Sequence, residues 1–258
     1  RTIEVEGRRI EGKKVIVATG SRPAAPPIDG LAEVPYLTNE AFFAPRPQPK
    51  SLLIVGAGPI GCELGEAMAR FGTKVTIVEF ADRILNRYEP DASALVEASM
   101  RELGIDIRTS TSVQLVQHNN GRFCVDLGHD SIEYEELLIA TGRTPNTSGF
   151  GLEVAGIDLD RRGFVRTDNY LRTNVKGVYA AGDCNGVQML SHAADEMGRV
   201  AIWTALRVGR KYKYDPNRIP HVVFTTPEVA AIGVLEADAP DDARVAEVEM
   251  SANDRALA

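Results

Sequence analysis

Ser51-Leu52-Leu53-Ile54-Val55-Gly56-Ala57-Gly58-Pro59-Ile60-Gly61, answered further on by Val75-Thr76-Ile77-Val78-Glu79, decides the fold. Leu52 to Val55 is an unbroken apolar run, the pattern of a strand buried on both faces of a parallel sheet. Gly56, Gly58 and Gly61 then form G-x-G-x-x-G at the strand's end. Gly56 permits the tight turn, Gly58 presents no side chain to a pyrophosphate, and Gly61 lets the next helix pack against the strand. That helix, Pro59 to Phe71, opens with a proline where a missing N–H costs nothing, and its free amides face the phosphates. Gly72 ends it, Lys74 to Glu79 is the second strand, and Glu79 stands where a carboxylate takes the ribose hydroxyls of NAD.

Working outward, 258 residues suffice for one large or two modest domains, with 44% hydrophobic and 25% charged residues as in ordinary globular chains. A net charge of −7 without basic runs argues against nucleic acid. No stretch approaches the ~18 apolar residues of a membrane span. Three scattered cysteines fit a reducing, cytoplasmic setting and no disulfide framework. No metal site is expected. The start at Arg1 and the abrupt end at Ala258 suggest a fragment.

Residues 1–20 predict a hairpin followed by a buried strand, Lys14 to Gly20. The proline-rich stretch Ser21–Pro49 is expected to be a connection, not an element. Asp82–Glu89 is expected to be a polar connection, and Asp91–Leu103 an amphipathic helix with Ala94, Leu95, Ala98 and Met100 inward. Strands are predicted at 105–107, 113–116 and 123–127, the last two joined through Asn119-Asn120-Gly121. Leu137-Leu138-Ile139-Ala140-Thr141-Gly142 ends as Val17-Ala18-Thr19-Gly20 does, marking two similar α/β units. A short strand is expected at 164–171, another at 177–183, then a helix from Met189 to Val208 with Leu190, Ala193, Met197, Val200 and Ala201 on one stripe. Residues 211–220 mark a boundary, and His221–Thr226 begins a further strand.

In order, these pieces resemble the pyridine nucleotide-disulfide oxidoreductases, which include dihydrolipoamide dehydrogenase, glutathione reductase and mercuric reductase. The resemblance rests on Ala18-Thr19-Gly20, the Gly56–Gly61 turn with Glu63, and Ala140-Thr141-Gly142-Arg143-Thr144-Pro145-Asn146. It extends through Thr173 to Ala181-Gly182-Asp183, Phe224-Thr225-Thr226-Pro227-Glu228-Val229-Ala230-Ala231-Ile232-Gly233 and Asn253-Asp254-Arg255-Ala256. It implies an α/β chain whose Rossmann-like NAD domain (46–146) is inserted into part of an FAD domain (1–45 and 147–216), with the start of an α+β interface domain at 217–258. It further implies that NAD is held by Gly56, Gly58, Pro59, Ile60, Gly61, Glu79, Thr141, Gly142 and Arg143, and FAD by Thr19, Gly20, Gly182 and Asp183. Glu63 is implied as the catalytic acid beside nicotinamide and flavin. Pro59 departs from the family, many of whose members carry a mobile tyrosine or a branched residue there; a proline cannot swing. Either the site stays open or Pro59 only shapes the helix start.

The expected activity is hydride transfer from NADH to flavin and on to a small disulfide or metal-ion acceptor, in a homodimer when full length. Two alternatives stand beside it: an NADH oxidase or ferredoxin reductase-like flavoprotein without a redox disulfide, and a non-catalytic NAD-binding module. As a fragment lacking the paired redox cysteines, the chain is expected to be inactive alone and to hold FAD poorly. Cys62, Cys124 and Cys184 read as core or near-core residues, with Cys62 the one placed to favour a thiolate. His118, His129, His192 and His221 show no partner motif.

Overall fold

A computed structural model describes residues 1–206 and 212–250. The helix end expected at Val208, the start of the boundary at Lys211 and the Asn253–Ala256 segment lie outside the described residues.

Ser51–Val55 is the hub of a four-stranded parallel sheet, flanked by Glu136–Ile139 on one side and by Lys74–Val78, then Asp106–Arg108, on the other. Every residue of Ser51–Val55 is buried, as its unbroken apolar run requires. Alternation divides it: Leu52 and Ile54 join a core with Cys62, Val96 and Met100 beneath the helices Pro59–Arg70 and Pro90–Glu102. Leu53 and Val55 join Phe123, Val125 and Tyr134 from an antiparallel sheet of Leu115–Asn119, Arg122–Asp126 and Ser131–Tyr134. The Asn120-Gly121 corner has both residues at positive φ (53° and 75°), as the tight turn of this hairpin demands.

The second unit pairs Val15–Val17 in parallel with Val178–Ala180. The helix Ser191–Leu206 covers it with Ala193, Met197, Val200 and Ala201, the expected stripe. The two units are joined by a two-stranded antiparallel ribbon, Ser21–Pro23 against Arg143–Pro145. The amino-terminal hairpin, Thr2–Val5 with Arg8–Glu11, is exposed throughout.

Several expectations need correction. The proline-rich stretch carries structure: Leu37 adds a rung to the sheet edge at Leu138, and Leu31 is buried in the second face's core. Residues 28–37 therefore pack with the nucleotide unit, not with the segment ending at 45 in which they were placed. Asp82–Glu89 is not simply polar, since Ile84, Leu85 and Tyr88 are buried. The helix at 90–102 turns Ser93, Val96 and Met100 inward and leaves Ala94, Leu95 and Ala98 exposed. Ser93 is tolerated there because its hydroxyl donates to Ile84 O at 2.6 Å. Residues 164–171 form no strand beyond one bridge, Leu159 to Val165. Asp160 and Asp168 instead accept nearby amides through their side chains and curl the chain into turns.

Candidate functional site

The glycine turn lies at the carboxyl end of the parallel strands, and each glycine has a separate physical reason. Gly56 sits at φ +104°, and a Cβ there would meet Ala140 O at 2.6 Å. A Cβ on Gly61 would fall 2.0 Å from Gly56 O, so only glycine lets helix and turn meet so closely. Gly58 has open space where its side chain would be, the vacant approach a pyrophosphate needs. Thr141 and Gly142 form the neighbouring lip, with Thr141 N 3.1 Å from the position of that added Gly56 Cβ. Glu79 closes the crevice: its Oε2 accepts Ala57 N–H at 2.6 Å and its Oε1 accepts Ala81 N–H at 2.9 Å. Each oxygen keeps a lone pair, so the carboxylate is oriented by the turn yet still able to accept ribose hydroxyls. Arg83, the nearest base downstream, donates instead to Asn86 O and Tyr88 O.

A second cleft of about 740 Å³ lies between the units, lined by Gly20, Ser21, Gly182, Asp183, Ser191 and, from the fingerprint helix, Ile60. Gly20 and Gly182 hold positive φ (70° and 78°), and a side chain on Gly20 would point into open space. Thr19 Oγ1 is buried beside the Cys184 thiol. Ser21 organises the cleft's charges, donating to Asp183 Oδ2 at 2.5 Å and accepting from Arg143 Nε at 2.6 Å. The resemblance implies Arg143 on the NAD side; its guanidinium is engaged with Ser21, with Asp183 at 3.5 Å and with Glu40 at 3.7 Å, and it lines the Asp183 cleft. No local signal singles out Ser21, whose partners lie more than 120 residues away.

Glu63 lies on the fingerprint helix, where its Oε1 accepts Phe224 N–H at 3.0 Å. One turn on, buried Glu66 accepts Thr226 N–H at 2.9 Å. Both amides belong to a hairpin, His221–Val223 with Val229–Ala231, whose Val223 and Val229 enter the helix-side core. Pro59 is exposed at the helix start. Cys62, expected to favour a thiolate, does the opposite: burial, with Glu79 and Glu63 nearby, pushes its thiol to about 12. It donates to Ala57 O at 3.3 Å. Cys184 is buried too, and burial likewise raises its thiol. Of the histidines, His118 packs at a tilt against Phe123, His192 bonds Pro220 O at 2.7 Å and His221 bonds Gln188 at 2.7 Å. Among the described residues no group of three or more His, Cys, Asp and Glu could hold a metal ion, and no helix is long and apolar enough to cross a membrane.

A Rossmann-type nucleotide crevice and a second glycine-lined cleft sharing a wall at Ile60 define a two-unit dinucleotide-binding α/β protein. The chain belongs to the pyridine nucleotide-disulphide oxidoreductase family, whose pattern matches residues 1–198. It is 36% identical to a mercuric reductase of Staphylococcus aureus, across 100% of this chain and 48% of that one. It is also 36% identical to a dihydrolipoyl dehydrogenase of Mycobacterium bovis, across 93% and 53%. In structure it matches the HOCl-induced flavoprotein disulfide reductase RclA from Escherichia coli with a TM-score of 0.85 and 30% identity, over 92% of this chain and 55% of that one. The chain thus spans about half the length of the curated relatives it matches.

Proposed function

We propose that this chain carries the pyridine-nucleotide half, and part of the flavin half, of an FAD-dependent oxidoreductase. The protein passes a hydride from NADH to flavin and on to a disulfide or a metal ion such as mercury. The observation that carries the reading is Ile60: a residue of the NAD fingerprint helix lines the same cleft as Gly182 and Asp183. A nucleotide on that helix and a flavin in that cleft are therefore neighbours, which hydride transfer requires.

The residues fit both groups. NAD is held at Gly56, Gly58 and Gly61 by backbone and helix amides, with Glu79 on the ribose and Thr141 and Gly142 at the lip. FAD is held by Gly20, Gly182 and Asp183 of the cleft lining, with Thr19 beside them. When bound, the flavin supplies the hydride acceptor and the electron relay. The chain's own work is orientation. Ser21 and Arg143 fix the Asp183 carboxylate, Glu79 is set by the Ala57 amide, and Glu63 lies one turn into the helix beside the shared wall. The domain change falls at the Ser21–Pro23/Arg143–Pro145 ribbon, and 217–250 begins an interface domain through which the whole protein dimerises in the cytoplasm.

Anaerobic rapid mixing of the whole protein with NADH tests this. Bleaching of the oxidised-flavin absorbance, followed by recovery on adding a disulfide or Hg(II), is the expected result. A flavin that NADH leaves oxidised would sink the reading.

A further inference from the structure

The fingerprint helix has a second set of attachments, on a different face from its phosphate-facing end. Glu63 and Glu66 are three residues apart, hence on one side of the helix, separated by about 4.5 Å along the axis. The two amides they accept, Phe224 N and Thr226 N, are two residues apart in the bend that joins the hairpin's strands. They make two ties to one side of the helix, and Ser99 Oγ, on the neighbouring helix Pro90–Glu102, adds a third by donating to Thr226 O at 2.5 Å. The middle tie is the buried one. The Glu66 side chain is 5% exposed, and Arg70 places both Nε and Nη2 on its Oε1, at 2.9 and 2.7 Å. Oε2 is left for Thr226 alone. Each oxygen has its own donors, and a neutral amide could not serve both sides: one of its ends is itself a donor.

We propose that Glu66 is a positioning residue that couples the 221–231 hairpin to nucleotide binding. The inference rests on NAD occupying the Gly56–Gly61 turn, as argued above. A nucleotide held by the first-turn amides of Pro59–Arg70 steadies the first two turns, where Glu63 and Glu66 sit. The hairpin hangs from those turns, and Val223 and Val229 pack into the core that Ala57 and Cys62 also enter. Nucleotide binding therefore orders the hairpin. Linkage makes the effect reciprocal, so an ordered hairpin tightens nucleotide binding by the same factor.

The test uses backbone hydrogen exchange of the 258-residue chain with and without NADH, together with NADH titration. In the unaltered chain NADH slows exchange across 221–231. Glu66→Gln sets an amide donor against either Arg70 or Thr226; it speeds exchange of the hairpin at least tenfold, abolishes the NADH effect there and weakens NADH several-fold. Exchange across Ser51–Val55 stays as in the parent, showing that the sheet is intact. The double variant Glu66→Gln with Arg70→Met frees the amide oxygen for Thr226 and restores much of the protection, which a merely space-filling role for residue 66 would not do. Hairpin exchange in Glu66→Gln equal to the parent's overturns the proposal, as does NADH binding that leaves the parent's hairpin unprotected. A parent chain that binds no NADH overturns the functional reading instead, while the ligand-free comparison still decides the tie.

Discussion

The Glu79 carboxylate reaches across the crevice to accept the Ala57 amide, in the middle of the glycine turn, at 2.6 Å. In the proposed NAD site this fixes the acid where the ribose 2′-oxygen would lie, while Arg83 is occupied with two carbonyls of its own loop. A 2′-phosphate would bring like charge against Glu79 with no base turned to meet it. NADH is expected to bind at least about tenfold more tightly than NADPH, roughly 1.4 kcal/mol. Calorimetric titration with both nucleotides checks this, and Glu79→Ala should narrow the gap. Equal affinities in the parent would mean that Arg83 leaves its carbonyls to take the phosphate.

Two glycines of the same turn should fail in opposite ways. Gly61→Ala drives a methyl to within 2.0 Å of Gly56 O, so the fold itself suffers, by about 1–3 kcal/mol in urea unfolding. A Cβ at Gly58 would meet nothing within 4 Å and φ there is −74°, so the unfolding midpoint of Gly58→Val should barely move while NADH affinity falls at least tenfold. Normal NADH binding by Gly58→Val would remove the pyrophosphate from that spot.

His221 predicts a pH dependence. Burial, and then the neighbouring His192, hold its imidazole below the ordinary histidine value. Gln188 Nε2 lies 2.7 Å from its Nε2 and has only protons to offer, so the bond needs a neutral ring. The unfolded chain takes up the proton first as pH falls, so stability is whole above the unfolded value near 6.5 and drains away below it. Unfolding midpoints measured from pH 8 to pH 5 should decline on the acid side, and His221→Gln should flatten that decline. An unchanged slope in the variant would place the titration elsewhere.

Thiol chemistry should discriminate sharply. Cys62 and Cys184 are fully buried, with Cys62 raised to about 12, whereas Cys124 is partly accessible on the antiparallel sheet. Brief maleimide treatment of the native chain near neutral pH should modify Cys124 alone, read by intact mass and peptide mapping. Rapid labelling of Cys62 would reinstate a thiolate at the helix start.

How far the chain could be read in advance depended on the range of the forces involved. The strand, turn, helix and acid from Ser51 to Glu79 were legible because each residue's reason is local: sterics at Gly56 and Gly61, a free helix end, a carboxylate at the strand's tip. The stripe of the helix Ser191–Leu206 was legible for the same reason. The face of Pro90–Glu102 was not, since alanines lie on both sides and the decisive contact is a serine bonded to Ile84 O. The bond between Arg143 and Ser21 was not legible because it spans 122 residues, and Glu66 went unnoticed because its meaning lies in an amide 160 residues on. The strand expected at 164–171 failed because Asp160 and Asp168 satisfy the backbone locally, and no neighbour need do so.

The ribbon of Ser21–Pro23 and Arg143–Pro145 has a topological consequence. The chain leaves one unit and returns to it through strands that lie side by side, so Pro23 and Arg143 face each other across a single ladder, about 5 Å apart. The 119 or so residues between them form a bulb on a two-stranded stem. Cutting the stem would release a body with its own sheet and both of its covering layers, and a one- or two-residue bridge would reseal the stump without moving either strand. Such a module can be gained, lost or exchanged at one point of a gene. The transplant would carry one scar: the apolar patch that Val223 and Val229 cover here would have to find another lid.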